Sequence, residues 1–141
     1  METLNKTMIT VTTTVNAPVV KVWKLWSIPE HITKWNNASD DWYTPWVEND
    51  LKVGSKFVCR MEAKDGSSGF DFWGVYDVVK LYKLIEYTMG DGRKVAIRFS
   101  AQDDTTRIVE TFEAENTNPI DIQKGGWQSI LDNFKRYTES N

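Results

Sequence analysis

The run Gly125-Gly126-Trp127-Gln128-Ser129-Ile130-Leu131-Asp132-Asn133-Phe134-Lys135-Arg136-Tyr137 constrains this chain more than any other segment. Trp127, Ile130, Leu131, Phe134 and Tyr137 recur at the spacing that lines one side of an α-helix, while Gln128, Asp132, Lys135 and Arg136 point elsewhere. A helix with so wide an apolar face has to be covered. The alternating segments between about Thr44 and Glu115 offer a sheet to cover it. The expected fold class is α+β, a curved antiparallel β-sheet wrapped around a long C-terminal helix, an arrangement that leaves room for a cavity between the two.

The preceding segments support this order. Ile9, Val11, Thr13 and Val15 alternate with Thr10, Thr12 and Thr14, giving a first strand over 8–15. Asn16-Ala17-Pro18 then punctuates: Asn16 or Ala17 is placed at a helix cap, Pro18 in the first turn, and Val19, Val22, Trp23 and Trp26 give a helical face. Ser27-Ile28-Pro29-Glu30 fits a capping box opening a second short helix from about Pro29 to Trp35. Asn36 to Trp46, with Trp42, Tyr43 and Trp46 around Pro45, is expected as a loop folded back against the body. Phe57, Cys59 and Met61 alternate in a strand over 56–63, and Asp65-Gly66-Ser67-Ser68-Gly69 forms a hairpin loop. Phe70, Phe72, Gly74, Tyr76 and Val78 are placed on one face of the long strand that follows. Ile85 to Met89, Lys94 to Ser100 and Thr106 to Glu115 complete the meander, and Asn118-Pro119 or Asp121 starts the last helix.

A length of 141 residues suits one domain, 1–141, with its core at about 8–138. The balance of 20 acidic to 17 basic residues, spread without a basic block, argues against nucleic-acid binding, because phosphate contact needs clustered Lys and Arg. Cys59 is the sole cysteine, so no intrachain disulfide can form and a reducing cytoplasm fits best. Met1 to Lys6 lacks the apolar stretch of a secretory leader, and no apolar run reaches membrane-spanning length. Asn5-Lys6-Thr7 and Asn37-Ala38-Ser39 match the glycosylation sequon, but without secretion they are chance matches.

Taken in order, Asn16-Ala17-Pro18 with Val22-Trp23, Pro29-Glu30-His31 with Trp35, Gly74-Val75-Tyr76, Phe112-Glu113, and Gly126-Trp127 with Leu131 resemble a known family. It is the bacterial branch of the family named after the activator of the ninety-kilodalton heat-shock protein's ATPase, within the START-like (SRPBCC) superfamily. The resemblance spans roughly Ile9 to Tyr137. It implies a helix-grip fold, with two short helices after the first strand closing one end. Many relatives continue the Trp35 segment with a second tryptophan and a Gly-Pro turn, whereas this chain reads Asn36-Asn37-Ala38-Ser39-Asp40-Asp41-Trp42, so a different loop shape is expected at the pocket mouth. No single activity is implied, since folds of this kind host lipid binders, hormone receptors, cyclases and chaperone regulators. The eukaryotic activators carry an additional chaperone-binding domain, for which no room is expected here.

Residues able to do chemistry are sparse. Nucleophilic catalysis at Cys59 needs a histidine partner, and the only histidine is His31 in the second helix. The phase that Cys59 shares with Phe57 and Met61 marks a small buried hydrophobe instead. His31 is expected at the surface or a helix end, and a lone histidine makes no transition-metal site. Acid–base work would fall to Asp71, Asp77, Glu86 or Glu110, and glycosidase-type chemistry would need two carboxylates in one pocket. Asp71 and Asp77 lie opposite Phe72 and Tyr76, on a solvated face. Asp40, Asp41, Glu48 and Asp50 lack the spacing of a calcium loop, and Gly66 and Gly69 lack the lysine of a phosphate loop. No catalytic residue, metal or cofactor is expected.

The remaining constellation is apolar. Trp35, Trp42, Phe57, Cys59, Met61, Phe72, Tyr76, Phe99, Trp127 and Leu131 are the candidate ligand-binding residues, with Ile130 and Phe134 beside them on the helix. They could simply fill a core at crystal density. Alternatively they bound a cavity of at least about 300 Å³ for a small apolar or aromatic molecule, oriented by Tyr76 with Arg60, Arg98 or Trp42. Gly125-Gly126 each cost a helix about 1 kcal/mol relative to Ala, which points to close sheet contact, a bend or room at the pocket mouth. The leading reading is a cytoplasmic binding protein for a small hydrophobic molecule, not an enzyme. A chaperone or stress accessory acting by protein contact comes second, and a cyclase- or hydrolase-like enzyme using the same cavity third. A chaperone partner finds no support in individual residues, and a homodimer is left open.

Overall fold

Alternating apolar and β-branched residues build an eight-stranded antiparallel sheet that curls around the C-terminal helix in the computed structural model, which describes residues 7–141. Met1 to Lys6, which include Asn5 and Lys6 of the first sequon and the segment read as lacking a leader's apolar stretch, lie outside the described residues. The elements are β1 (Met8–Val15), α1 (Val19–Ser27), α2 (Pro29–Trp35), β2 (Trp42–Tyr43), β3 (Val47–Glu48), β4 (Lys56–Ala63), β5 (Gly69–Lys80), β6 (Leu84–Met89), β7 (Lys94–Gln102), β8 (Thr105–Glu113) and α3 (Ile120–Glu139). Strand order is β1-β8-β7-β6-β5-β4-β2, with β3 also on β4. The meander is continuous from β4 to β8, and β1 closes onto β8 with Met8 opposite Glu113 and Val15 opposite Thr106.

Four local expectations need correction. The segment expected as a loop carries the two-residue strands β2 and β3, each paired with β4, a length too short to leave an alternation in the sequence. On β5 the shared face stops at Tyr76. The register shifts between Tyr76 and Val78, so Val78 sits opposite Glu86 while Val79, opposite Ile85, packs against the core. In α1 the cap position is Pro18, in extended conformation at φ −68 and ψ 153, and not Asn16 or Ala17 as expected. Finally, Ser27 caps nothing. It is the last residue of α1, Ile28 is the N-cap of α2 without a side-chain bond, and the Ser27 hydroxyl donates back one turn to the Trp23 carbonyl at 2.6 Å.

α3 is seated by ring packing and by polar ties. The Trp127 ring stacks on Phe112 of β8 with centroids 3.9 Å apart and planes 11° from parallel. Further along, Phe134 meets Trp26 edge-on at 4.8 Å and Trp35 at 4.9 Å, which locks the two short helices to the long one. Gln128 Nε2 donates to the Thr12 carbonyl at 3.0 Å and Lys135 Nζ to the Thr14 carbonyl at 2.6 Å, engaging carbonyls of the edge strand β1. The turn into α3 is held by Gln123, whose amide accepts from Glu115 N at 2.9 Å and donates to the Asn118 carbonyl at 2.8 Å.

Because the Ser27 hydroxyl serves its own helix and no cap, Ser27→Ala is expected to cost less than about 0.5 kcal/mol in urea unfolding. A loss near 1 kcal/mol, the usual cost of a removed cap, would contradict the assignment.

Candidate functional site

Inward-facing positions of β4 to β8 meet α2 and α3 around a pocket of about 250 Å³. Phe57, Cys59 and Met61 come from β4, Phe72 and Tyr76 from β5, and Ile85 and Tyr87 from β6. Ile97 of β7 and Glu110 of β8 complete the sheet wall, while Trp127, Ile130 and Leu131 of α3 and Trp26, Ile32 and Trp35 of the short helices close it. The volume is below the expected 300 Å³ because rings fill part of the space. Phe57 lies 4.8 Å from Tyr87 and 5.3 Å from Tyr76, centroid to centroid. Gly74 permits this crowding, since a Cβ there would come within 2.8 Å of both the Phe57 ring and the Thr88 carbonyl.

Of the candidate ligand-binding residues, Trp35, Phe57, Cys59, Met61, Phe72, Tyr76, Trp127 and Leu131 line the pocket. Phe99 does not; it is buried beside it, edge-on to Trp23 at 5.2 Å and Trp26 at 5.6 Å. Trp42 is also outside the lining and rests 5.9 Å from the half-exposed Phe70, which does line it. Arg60 and Arg98 are on the outer face: Arg60 donates to Glu62 at 3.0 Å and to Asp71 at 3.2 Å, and Arg98 is exposed. Both are out of phase with their inward neighbours, which the alternation of the sequence already contains. Asp71 and Asp77 are exposed as expected, and Asp77 accepts from the Thr88 hydroxyl at 2.6 Å. Gly125 and Gly126 make no close contact with the sheet, because a Cβ at either would meet open space.

The polar content of the pocket is small and specific. The Tyr76 hydroxyl donates to Asn49 Oδ1 at 2.6 Å, and Asn49 Nδ2 donates to the Ser27 carbonyl at 2.7 Å, tying the wall to the end of α1. Burial pushes the Tyr76 and Tyr87 phenols up and raises the Cys59 thiol to about 12, so all three are neutral near pH 7. His31 shares a hydrogen bond with the Tyr137 hydroxyl at 2.6 Å and does not line the pocket, so Cys59 has no histidine base there. Glu110 is the unexpected member. It points inward in phase with Ile108 and Phe112, is only 6% exposed, and burial raises its carboxyl to about 8. Among the described residues no group of three or more potential metal ligands occurs, and no helix is long and apolar enough to cross a membrane.

Two measurements check this electrostatic picture. With its thiolate disfavoured by burial, Cys59 should react roughly a hundredfold more slowly with a thiol reagent in the folded chain than after unfolding. Fast labelling of the folded chain would restore a nucleophile. For Glu110, the folded chain holds a proton up to about pH 8, whereas the unfolded chain releases it near the ordinary value of 4.5. The folded state therefore binds more protons through that window, and stability falls as pH rises across it. Glu110→Gln should gain on the parent by roughly 3 kcal/mol between about pH 5 and 8. A stability difference independent of pH would show that the carboxyl is not desolvated.

The sequence matches the family described as Activator of Hsp90 ATPase homolog 1-like protein over residues 16–139. A solved AHSA1-like protein from Aeromonas hydrophila is 41% identical, with a TM-score of 0.89 over 95% of this chain and 93% of its own. A solved protein from Cytophaga hutchinsonii is 58% identical, with a TM-score of 0.82 over 94% of this chain and 92% of its own. A Chromobacterium violaceum protein, 18% identical, covers 96% of this chain and 99% of its own at a TM-score of 0.85, which extends the likeness of fold alone. No functionally curated protein matches the sequence. The order of strands and helices and the matched span agree: the chain belongs to the Activator of Hsp90 ATPase homolog 1-like family and has its helix-grip fold.

Proposed function

We propose that the protein binds a small, largely apolar or aromatic molecule between the sheet and α3. The observation that carries the reading is the pocket itself: about 250 Å³ left open among aromatic and aliphatic side chains that could otherwise have closed on one another. Ligand pockets usually start near about 300 Å³, so the guest is a compact molecule of one or two rings and not a long acyl chain. A binding role is favoured over catalysis because Cys59 is held as a thiol and Glu110 is the only carboxyl in the lining among the described residues. Paired-carboxylate chemistry has no second partner there.

Compounds retained through native purification, identified by mass spectrometry, test this directly. Cys59→Phe should abolish retention by occupying the pocket. Because the new ring enters an existing void, it should destabilise by less than the roughly 1–3 kcal/mol that overpacking costs. A chain that retains nothing, together with a Cys59→Phe variant as damaged as an overpacked core, would remove the ligand-binding reading.

A further inference from the structure

Glu110 is the feature of this pocket that packing does not explain. Buried polar groups almost always have a hydrogen-bond partner. Glu110 is only 6% exposed, lines the pocket, and forms no hydrogen bond or ion pair with any described residue. Its register neighbours are Val11 on β1 and Ile97 on β7, both buried and apolar. Across the pocket α3 presents Trp127, Ile130 and Leu131, and α1 and α2 present Trp26, Ile32 and Trp35. The titratable groups that face it are Tyr87 of β6, Tyr76 of β5 and Cys59 of β4, each kept neutral by burial. Arg93, which acts on Tyr87 through its charge, is itself engaged by Asp91 and by the Glu113 carbonyl.

Resting on the ligand-binding reading above, we propose that Glu110 is the recognition residue of the pocket, its carboxylic acid donating one hydrogen bond to a carbonyl oxygen of an uncharged aromatic guest. The chemistry of the lining selects this class. Among the described residues no lysine or arginine lines the pocket, so an anionic guest would meet a carboxyl without a counter-charge. A cationic amine would require Glu110 to ionise and both charges to be desolvated, a cost that a buried pair offsets only with excellent geometry and further hydrogen bonds. A neutral acceptor requires neither. Its oxygen satisfies the orphan O–H, and its rings occupy the pocket that Tyr87, Ile130 and Leu131 help to line. The carboxyl, raised to about 8 by burial, is mostly protonated near pH 7 and able to donate. Such binding is complete below that value and is lost as pH rises through it, because the carboxylate has no proton to give.

Calorimetric titration of the full chain with three matched compounds tests the assignment: 2-acetylnaphthalene, its hydrocarbon analogue 2-ethylnaphthalene, and 1-(2-naphthyl)ethylamine. At about pH 6.5 the ketone should bind about fivefold or more tighter than the hydrocarbon, the increment of one net hydrogen bond. At about pH 9 that preference should vanish in the parent chain, where the carboxyl has ionised. Glu110→Leu should abolish the preference at both pH values, whereas Glu110→Gln, which still offers an N–H donor, should keep it at both. Equal binding of ketone and hydrocarbon by the parent chain at the lower pH would overturn the role of Glu110 while leaving the pocket reading intact. An amine that binds best, and more tightly as pH rises, would overturn it in favour of an ion pair. If none of the three compounds binds, the pocket reading falls as well.

Discussion

The stacking of Trp127 on Phe112 fixes where α3 lies against the concave face of the sheet, and the remaining architecture depends on that seat. From there the same indole reaches toward Phe72 of β5 at 6.3 Å, so one side chain spans from β8 across the concavity. Two turns on, Phe134 is clasped by Trp26 and Trp35. Ring pairs of this kind contribute about 0.5–1.5 kcal/mol each beyond their burial, and they hold α3 near both ends of its apolar stripe. What lies between those two anchors, bounded by Leu131 and Ile130 on the helix and by β4 to β6 on the sheet, is not closed by rings. The pocket is thus a consequence of how the helix is fastened.

The same helix also solves a problem of the sheet. β1 pairs with β8 on one side only, and an open edge presents carbonyls to any other strand. Gln128 and Lys135 engage two of those carbonyls, and Glu139 accepts from the Asn16 amide at 2.7 Å just past the end of β1. The polar positions of α3, which look like an ordinary solvated face in the sequence, are therefore partly spent on the strand edge. Apolar and polar faces of one helix act on two different surfaces of one sheet, an agreement between local pattern and tertiary role that specifies the fold.

How much of this was legible depends on the length over which a pattern repeats. α3 and the five long strands β4 to β8 announce themselves because their periodicities persist for several residues, and α2 because Pro29 fixes its start. The two-residue strands β2 and β3 have no period to detect. The β5 bulge reverses the phase within a single residue step, which is why Val79 and not Val78 joins the core. Ser27-Ile28-Pro29-Glu30 has the composition of a capping box, but the preceding helix keeps Ser27 and turns its hydroxyl inward along its own axis. In the site, Arg60 and Arg98 were separable from the pocket by alternation alone. So was Glu110: Thr106, Ile108, Glu110 and Phe112 occupy one face of β8, and an acid in that phase is an inward-facing acid.

Of the four pocket-lining groups whose pKa values are raised, Cys59 and Glu110 differ in what the shift means. The thiol of Cys59 is neutral in water near pH 7 and neutral here, so moving it to about 12 changes nothing it would otherwise do. The carboxyl of Glu110 would be ionised in water at that pH, and burying it reverses its state. Reversal costs stability through the whole interval between the two values, and no contact with a described residue offsets it. A leucine or glutamine at that position would avoid the cost and leave the strand pairing of β8 untouched, since the backbone bonds to β1 and β7 do not involve the side chain. Folding therefore gives no reason for the acid. A guest with a complementary oxygen does, because it supplies the partner that the buried Glu110 carboxyl lacks among the described residues.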